Sequence, residues 1–276
     1  MKKVNILTLV AVLITLLTAS CGQNAIKNES AKITFKTIDV EDFVAHPQAT
    51  DDEQGLHYKI KFIYPEEYGN KEVLATLQSK FIEYVLGKEY VSLTPDKAVE
   101  TCVEEWKKGY AEDLKGTEYE DIPGYALSYV YFCSDTISFV NDALLQMIGY
   151  SYTYAGGAHG FGGFIAHLFN FQTGKEYTRN DIFKTEKETD IRRLIIAEIP
   201  KYIEDGDTFE EDAVWTEETD FALTDEGISF LYSDYELGSY SLGSLEIPVP
   251  FAKILPCLRE NTPVWEAVNN KANKNK

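Results

Sequence analysis

The hydrophobic period of the chain switches from two to helical spacing and back, which limits the architectures open to it. Residues 33–40 and 57–64 alternate apolar and polar side chains, the pattern of half-buried strands, and Pro65 stops the second run. Asn70 then offers an N-cap to a helix whose apolar positions are Val73, Leu74, Leu77, Phe81, Tyr84 and Val85, ending at Gly87. Thr94 and Pro95 open a second helix, striped by Ala98, Val99, Cys102, Val103, Trp106 and Tyr110. From Gly124 the period returns to two over 125–132, 145–154 and 164–171, which reads as consecutive strands of an antiparallel sheet. A helix from Glu188 carries Ile191, Leu194, Ile195 and Ile199 on one face, and short strands follow at 221–223, 228–232 and 245–249. A terminal helix is expected over 251–258, and the tail over 269–276 is expected to fray. Strands, helices and strands without steady β-α-β alternation predict an α+β fold. The expected form is antiparallel sheets with packed helices in two adjoining modules, 32–160 and 161–268.

The first twenty residues read as an address. Lys2 and Lys3 precede a largely apolar run over 6–17, and Leu17-Thr18-Ala19-Ser20 leads directly into Cys21. A basic start, a short apolar segment and small residues before the cut make a signal peptide over 1–20. The run is shorter than the roughly 20 apolar residues of a membrane span. Small residues running into a cysteine predict a bacterial lipoprotein, acylated at Cys21, with 21–31 as a polar tether. That places the expected protein in the cell envelope, lipid-anchored, on the periplasmic or outer surface. Cys102, Cys133 and Cys257 are then expected as buried free thiols, since no pair has C-x-x-C spacing.

Charge removes one class of partner. The chain carries 26 basic and 45 acidic side chains, a formal net charge of −19, which repels phosphate backbones and argues against nucleic-acid binding. With 44% apolar and 13% aromatic residues it is also too rich in core formers to remain disordered. His57, His159 and His167 are scattered without metal-ligand spacing, so no metal or cofactor is expected. No nucleophile motif occurs, and the carboxylates are too numerous for an acid/base pair to be picked out. An enzyme acting on wall material, with His159 and an unassigned carboxylate, stands as the rival to a binding protein, and a scaffold lipoprotein as a third reading.

Two segments are candidates for recognition. Residues 156–163 hold five glycines, and with Tyr154, Gly156, Gly157, His159 and Gly160 they form either a structural turn between strands or a loop offering backbone N–H groups and an imidazole to a ligand. Residues 204–220 hold nine acidic side chains and no basic one. A charge block of this kind reads as a solvated connector, or as a steering field for a cationic partner anchored by Trp215, Tyr232, Tyr235 and Tyr240. Asp205-Gly206-Asp207 lacks calcium-loop spacing. Tyr129 with Tyr131, and Tyr152 with Tyr154, share strand faces and read as core or as a surface that stacks on sugar rings.

The run Tyr152-Thr153-Tyr154-Ala155-Gly156-Gly157-Ala158-His159-Gly160 is followed by Phe169-Asn170-Phe171-Gln172-Thr173-Gly174-Lys175, Asn180-Asp181-Ile182-Phe183 and Phe221-Ala222-Leu223-Thr224-Asp225-Glu226-Gly227-Ile228. With Tyr235-Glu236 and Ile247-Pro248-Val249-Pro250-Phe251, this order of motifs resembles the paired envelope modules of RsiV-type anti-sigma factors, which sense lysozyme. The first of those modules also precedes the catalytic domain of PdaC-type peptidoglycan deacetylases. The resemblance is weaker over 32–145 than over 146–260. It implies a two-module extracytoplasmic α+β protein that works by binding, with a cationic lysozyme-type hydrolase or peptidoglycan glycan as partner. No sigma-binding segment and no deacetylase metal motif is present, so neither of those activities is implied. The resemblance brings no catalytic residues.

Overall fold

The computed structural model describes residues 33–47, 49, 54–115 and 124–274, so the leader, Cys21 and the tether lie outside the described residues. Strands β1 (Thr34–Ala45) and β2 (Gly55–Glu67) pair as an antiparallel hairpin, followed by helices α1 (Lys71–Val85) and α2 (Pro95–Asp113). Then come β3 (Tyr129–Val140), β4 (Leu144–Ala155) and β5 (Phe161–Asn170), which complete a five-stranded sheet in the order β1-β2-β3-β4-β5. The fold is α+β as the period changes predict. One pair departs from the antiparallel expectation: β2 and β3 run parallel. Two helices separate them in sequence, and a crossover of that length returns the chain in the same direction.

The helices form where their caps and stripes dictate. The Asn70 side chain accepts from the Glu72 and Val73 N–H groups at 3.1 and 3.2 Å, satisfying two of the first-turn donors of α1. Val73, Leu74, Leu77, Phe81 and Ile82 of α1 are buried, as are Ala98, Val99, Cys102, Val103 and Tyr110 of α2. They share one core with Leu56, Tyr58, Ile60 and Phe62, the alternate residues of β2. β3 starts later than the alternation suggests, because residues 124–127 form a 3₁₀ turn whose Leu127 carbonyl accepts the Tyr110 hydroxyl at 2.9 Å. Cys102, Cys133 and Cys257 are buried and free.

The second half builds its own core. Helices α3 (Arg179–Ile182) and α4 (Glu188–Glu198) precede the antiparallel sheet β6 (Asp220–Leu223), β7 (Gly227–Tyr232) and β8 (Leu245–Pro250), and α5 (Phe251–Ile254) and α6 (Pro263–Lys274) close the chain. Ile191, Ile195, Phe230, Ile247, Val249 and Ile254 are fully buried within it. Here the frayed tail expected from residue 269 is corrected: α6 continues to Lys274 and buries Val264, Val268 and Ala272. Those three positions have i,i+4 spacing, and the Lys/Asn composition of the tail masked that stripe.

The boundary expected after residue 160 falls at the β4–β5 turn, inside the first sheet, because β5 pairs with β4 from Phe161 to Asn170. β5 is that sheet's edge, and side chains of the second sheet's segment cap it. The Gly162 N–H donates to Asp234 at 2.6 Å, the Phe164 N–H to the Ser233 hydroxyl at 3.0 Å, and the Ala166 N–H to Asp220. Above this junction Ile148, Phe164 and Ala166 pack against Ala222 and Leu231.

Burial raises Asp220 from the ordinary carboxylate value to about 6, with Glu236 and Glu176 adding repulsion and His167 opposing it. A carboxyl whose folded pKa lies above its unfolded one gains stability as pH falls through the folded value. Stability measured by urea unfolding is therefore expected to rise between pH 7.5 and 5. Asp220→Asn keeps an oxygen acceptor for Ala166 and removes the charge. It is expected to flatten that rise and to stabilise the protein at pH 7.5 by about 1–2 kcal/mol.

Candidate functional site

The glycine-rich turn has the geometry its composition demands. Gly156 and Gly157 have φ of 78° and 102°, in the left-handed region where a side chain is strained. The hydroxyl of buried Tyr154 donates to the Gly157 carbonyl at 3.0 Å and ties the turn down. Gly160 answers a different requirement. A Cβ there would lie 2.3 Å from the Tyr152 hydroxyl, to which the Gly160 N–H donates.

His159 leaves this turn toward a second loop, 233–244. Its Nδ1 lies 2.9 Å from the Gly160 carbonyl and its Nε2 lies 2.8 Å from the Tyr235 hydroxyl. A carbonyl only accepts, so in the neutral ring Nδ1 carries the hydrogen and Nε2 accepts from Tyr235. The Tyr240 ring stacks on the imidazole with centroids 4.0 Å apart and planes inclined by 22°, and Tyr235 lies 5.4 Å from Tyr240. Two stretches about 80 residues apart in sequence thus build one aromatic tip. Both ring nitrogens of His159 are engaged by a carbonyl and a phenol, so the imidazole is placed as a wall of the tip.

Tyr235 is held in an unusual backbone state. Its φ of 68° is left-handed, and it is not a glycine. The turn is closed twice: the Glu236 N–H donates to the Ser233 carbonyl at 3.0 Å, and the Ser233 N–H to the Glu236 carboxylate at 2.7 Å. Burial pushes that carboxyl up, with Glu218 adding to it, while the Ser233 hydrogen bond opposes. Asp234 anchors the turn to β5, accepting from Gly162 through one oxygen and from the Ser244 hydroxyl at 2.8 Å through the other. The result is a Tyr235 side chain 50% exposed, with Phe161 of β5 also exposed at 53%. The acidic connector runs beside this loop, its Glu210 N–H donating to the Leu237 carbonyl at 2.8 Å.

Of the residues singled out in the sequence, Tyr154, Gly156, Gly157, His159, Gly160, Tyr235 and Tyr240 share this neighbourhood, Tyr154 as a buried brace. Trp215 and Tyr232 do not, and their expected role as partner anchors is corrected. Trp215 is 4% exposed, with the Arg179 guanidinium 4.0 Å from its ring and Phe183 and Phe230 against its sides. Tyr232 is fully buried and donates to the Val214 carbonyl at 2.6 Å. Both fill the second core. Phe161, Asp234, Glu236 and Ser244 were not legible as site residues. Their only sequence signal is adjacency to His159 or Tyr235, and no local pattern announces which loop meets which.

No curated protein matches the chain in sequence. Among solved structures, a crystal structure of a member of the DUF3298 family from Bacteroides fragilis NCTC 9343 has a TM-score of 0.74 at 22% identity, covering 87% of this chain and 99% of its own. A crystal structure of a DUF3298 family protein from Pseudomonas aeruginosa PAO1 has a TM-score of 0.51 at 14% identity, covering 84% of this chain and 97% of its own. At these identities the likeness is one of fold. The family model described as "Protein of unknown function (DUF3298)" matches residues 180–252, from within α3 into α5. The chain therefore carries a DUF3298 domain over residues 180–252, and its fold is shared with structures of that family.

Proposed function

We propose that this is a lipid-anchored binding protein of the cell envelope whose Tyr235–His159–Tyr240 tip receives a cationic protein of the lysozyme type. The observation that carries the reading is Tyr235, a large aromatic held left-handed and half exposed by a doubly closed turn. A strained, exposed side chain persists only where its surroundings over-determine it, and such residues gather at ligand-contacting positions. Aromatic rings serve as anchors at protein interfaces. The acidic connector beside the tip and a net charge of −19 supply a field that speeds encounter with a positively charged partner. The resemblance to lysozyme-sensing modules agrees in partner class, and the leader ending at Cys21 agrees in location.

Pull-down of hen lysozyme by the purified soluble domain tests this. Capture is expected at 20 mM salt and is expected to weaken at least tenfold by 300 mM, as an electrostatically steered complex does. Tyr235→Ala is expected to weaken binding by tenfold or more, equivalent to about 1.4 kcal/mol. Tyr235→Gly is expected to lose binding equally while melting no lower than the parent, because glycine accepts the left-handed backbone freely. No capture at low salt, or capture indifferent to both substitutions, overturns the reading. Labelled palmitate is expected to enter the protein expressed in a bacterial host and to be lost in Cys21→Ala. Label that survives the substitution removes the anchor.

A further inference from the structure

We infer that the tip accepts one ammonium or guanidinium group of its partner at the Tyr235 hydroxyl, and that protonation of His159 closes it to that group. This rests on the tip's being the receiving surface, and adds the group received and the condition for receiving it. Hydrogen positions follow from the acceptors. The Gly160 carbonyl, 2.9 Å from Nδ1, has only lone pairs to offer, so Nδ1 carries the hydrogen of the neutral ring. Nε2 is then bare, and the Tyr235 hydroxyl 2.8 Å away points its one hydrogen at it. That oxygen has no other hydrogen-bond partner among the described residues, and its side chain is half exposed. What the phenol turns outward is therefore lone pairs alone. Ammonium and guanidinium groups are donors without an acceptor, so an oxygen in this state is the kind they can use.

One added proton reverses the arrangement. Nε2 gains a hydrogen, so the phenol must accept from it and turn its own hydrogen toward the partner. A donor then meets a donor, and an imidazolium stands one hydrogen bond behind it, repelling a second cation. No counter-ion sits against that charge: among the described residues no carboxylate, ammonium or guanidinium is bonded to His159. The groups that face the ring are the Gly160 carbonyl of its own turn, and Tyr235 and Tyr240 of the 233–244 loop. Behind them lie Tyr152 of β4, which receives the Gly160 N–H, and Asp234, within electrostatic reach of Tyr152 and Tyr240. Asp234 spends one oxygen on the Gly162 N–H and the other on the Ser244 hydroxyl, and Glu236 is turned to the Ser233 N–H. Imidazole is the side chain whose charge ordinarily changes between pH 5 and 8, so modest acidification is enough to work the reversal.

Imidazole nitrogen NMR of the full mature chain at pH 8, without partner, is expected to show His159 protonated at Nδ1 and bare at Nε2. A neutral ring protonated at Nε2 overturns the inference. Argininamide, the cationic probe, is expected to move the Tyr235 ring resonances saturably at pH 7.5 and to bind at least threefold more weakly at pH 5.5. In His159→Gln the ratio between the two pH values is expected to fall below twofold. Tyr235→Phe keeps the ring and removes the oxygen, and is expected to weaken argininamide at least threefold at pH 7.5. No saturable movement of Tyr235 at pH 7.5, equal binding at the two pH values, or an undiminished ratio in His159→Gln overturns the inference. Lysozyme capture is scored separately. Argininamide binding with the expected pH dependence but no lysozyme captured removes that partner class and leaves this inference standing. Lysozyme captured equally at pH 7.5 and 5.5 keeps the partner class and overturns this inference.

Discussion

The unpaired edge of β5 is the constraint from which the arrangement of the two sheets follows. In an antiparallel pair, alternate N–H groups of the outer strand point away from the partner and need acceptors. Gly162, Phe164 and Ala166 are such alternate residues, and Asp234, Ser233 and Asp220 receive their N–H groups in turn. From Gly162 to Ala166 the edge is thus closed by side chains and not by a sixth strand, and beyond it the backbone of Lys175 and Tyr177 pairs with Asn170 and Leu168. The chain can then begin a separate three-stranded sheet without leaving donors buried. Because Ser233 and Asp234 must reach β5, the turn that holds them is fixed against the β4–β5 hairpin. Tyr235, the next residue, meets His159 as a consequence.

The same junction concentrates carboxylates where water is scarce, and their environments set opposite outcomes. Asp220 and Glu236 accept backbone N–H groups, yet burial, with repulsion from Glu236 and Glu176 on the first and from Glu218 on the second, outweighs those bonds and pushes both carboxyls upward. Glu198, at the end of α4, is held below the ordinary range by hydrogen bonds from Lys201 and Lys253. Burial and partner both differ. Two ammonium groups supply full countercharge, whereas an amide supplies only a dipole. The junction and the α4–α5 contact accordingly respond to pH in opposite senses: acid favours the first and weakens the second.

How much of this was legible in the sequence depends on the range of the forces involved. Helices α1 and α2 were readable because Asn70, Pro95 and their apolar stripes act within one or two turns. The parallel β2–β3 pair was not, since alternation marks a strand without naming its neighbour. Trp215 and Tyr240 differ little as local patterns, each an aromatic amid polar residues, yet one fills a core and the other stacks on an imidazole from a distant hairpin. That choice is made by tertiary packing. His159 and Tyr235 were identifiable singly, and their 2.8 Å hydrogen bond was not.

Tyr235 illustrates why such a site favours rigidity over local backbone comfort. A left-handed tyrosine costs about 1–2 kcal/mol relative to an ordinary conformation, and glycine at the same position would avoid that cost. The fold sustains it through the Glu236–Ser233 closure and the Asp234 bonds to β5, none of which involves the tyrosine side chain. What the tyrosine contributes is a ring already placed, with its hydroxyl fixed on His159 and Tyr240 5.4 Å away. Binding charges a side chain for the rotamers it gives up on contact, of order 0.5–1.5 kcal/mol for a flexible one. A ring immobilised in the free protein has already given them up during folding, so the strain is met by the many contacts of the core and affinity at the tip is spared. That division lets a small exposed aromatic cluster act as an anchor on a surface otherwise dominated by solvated carboxylates.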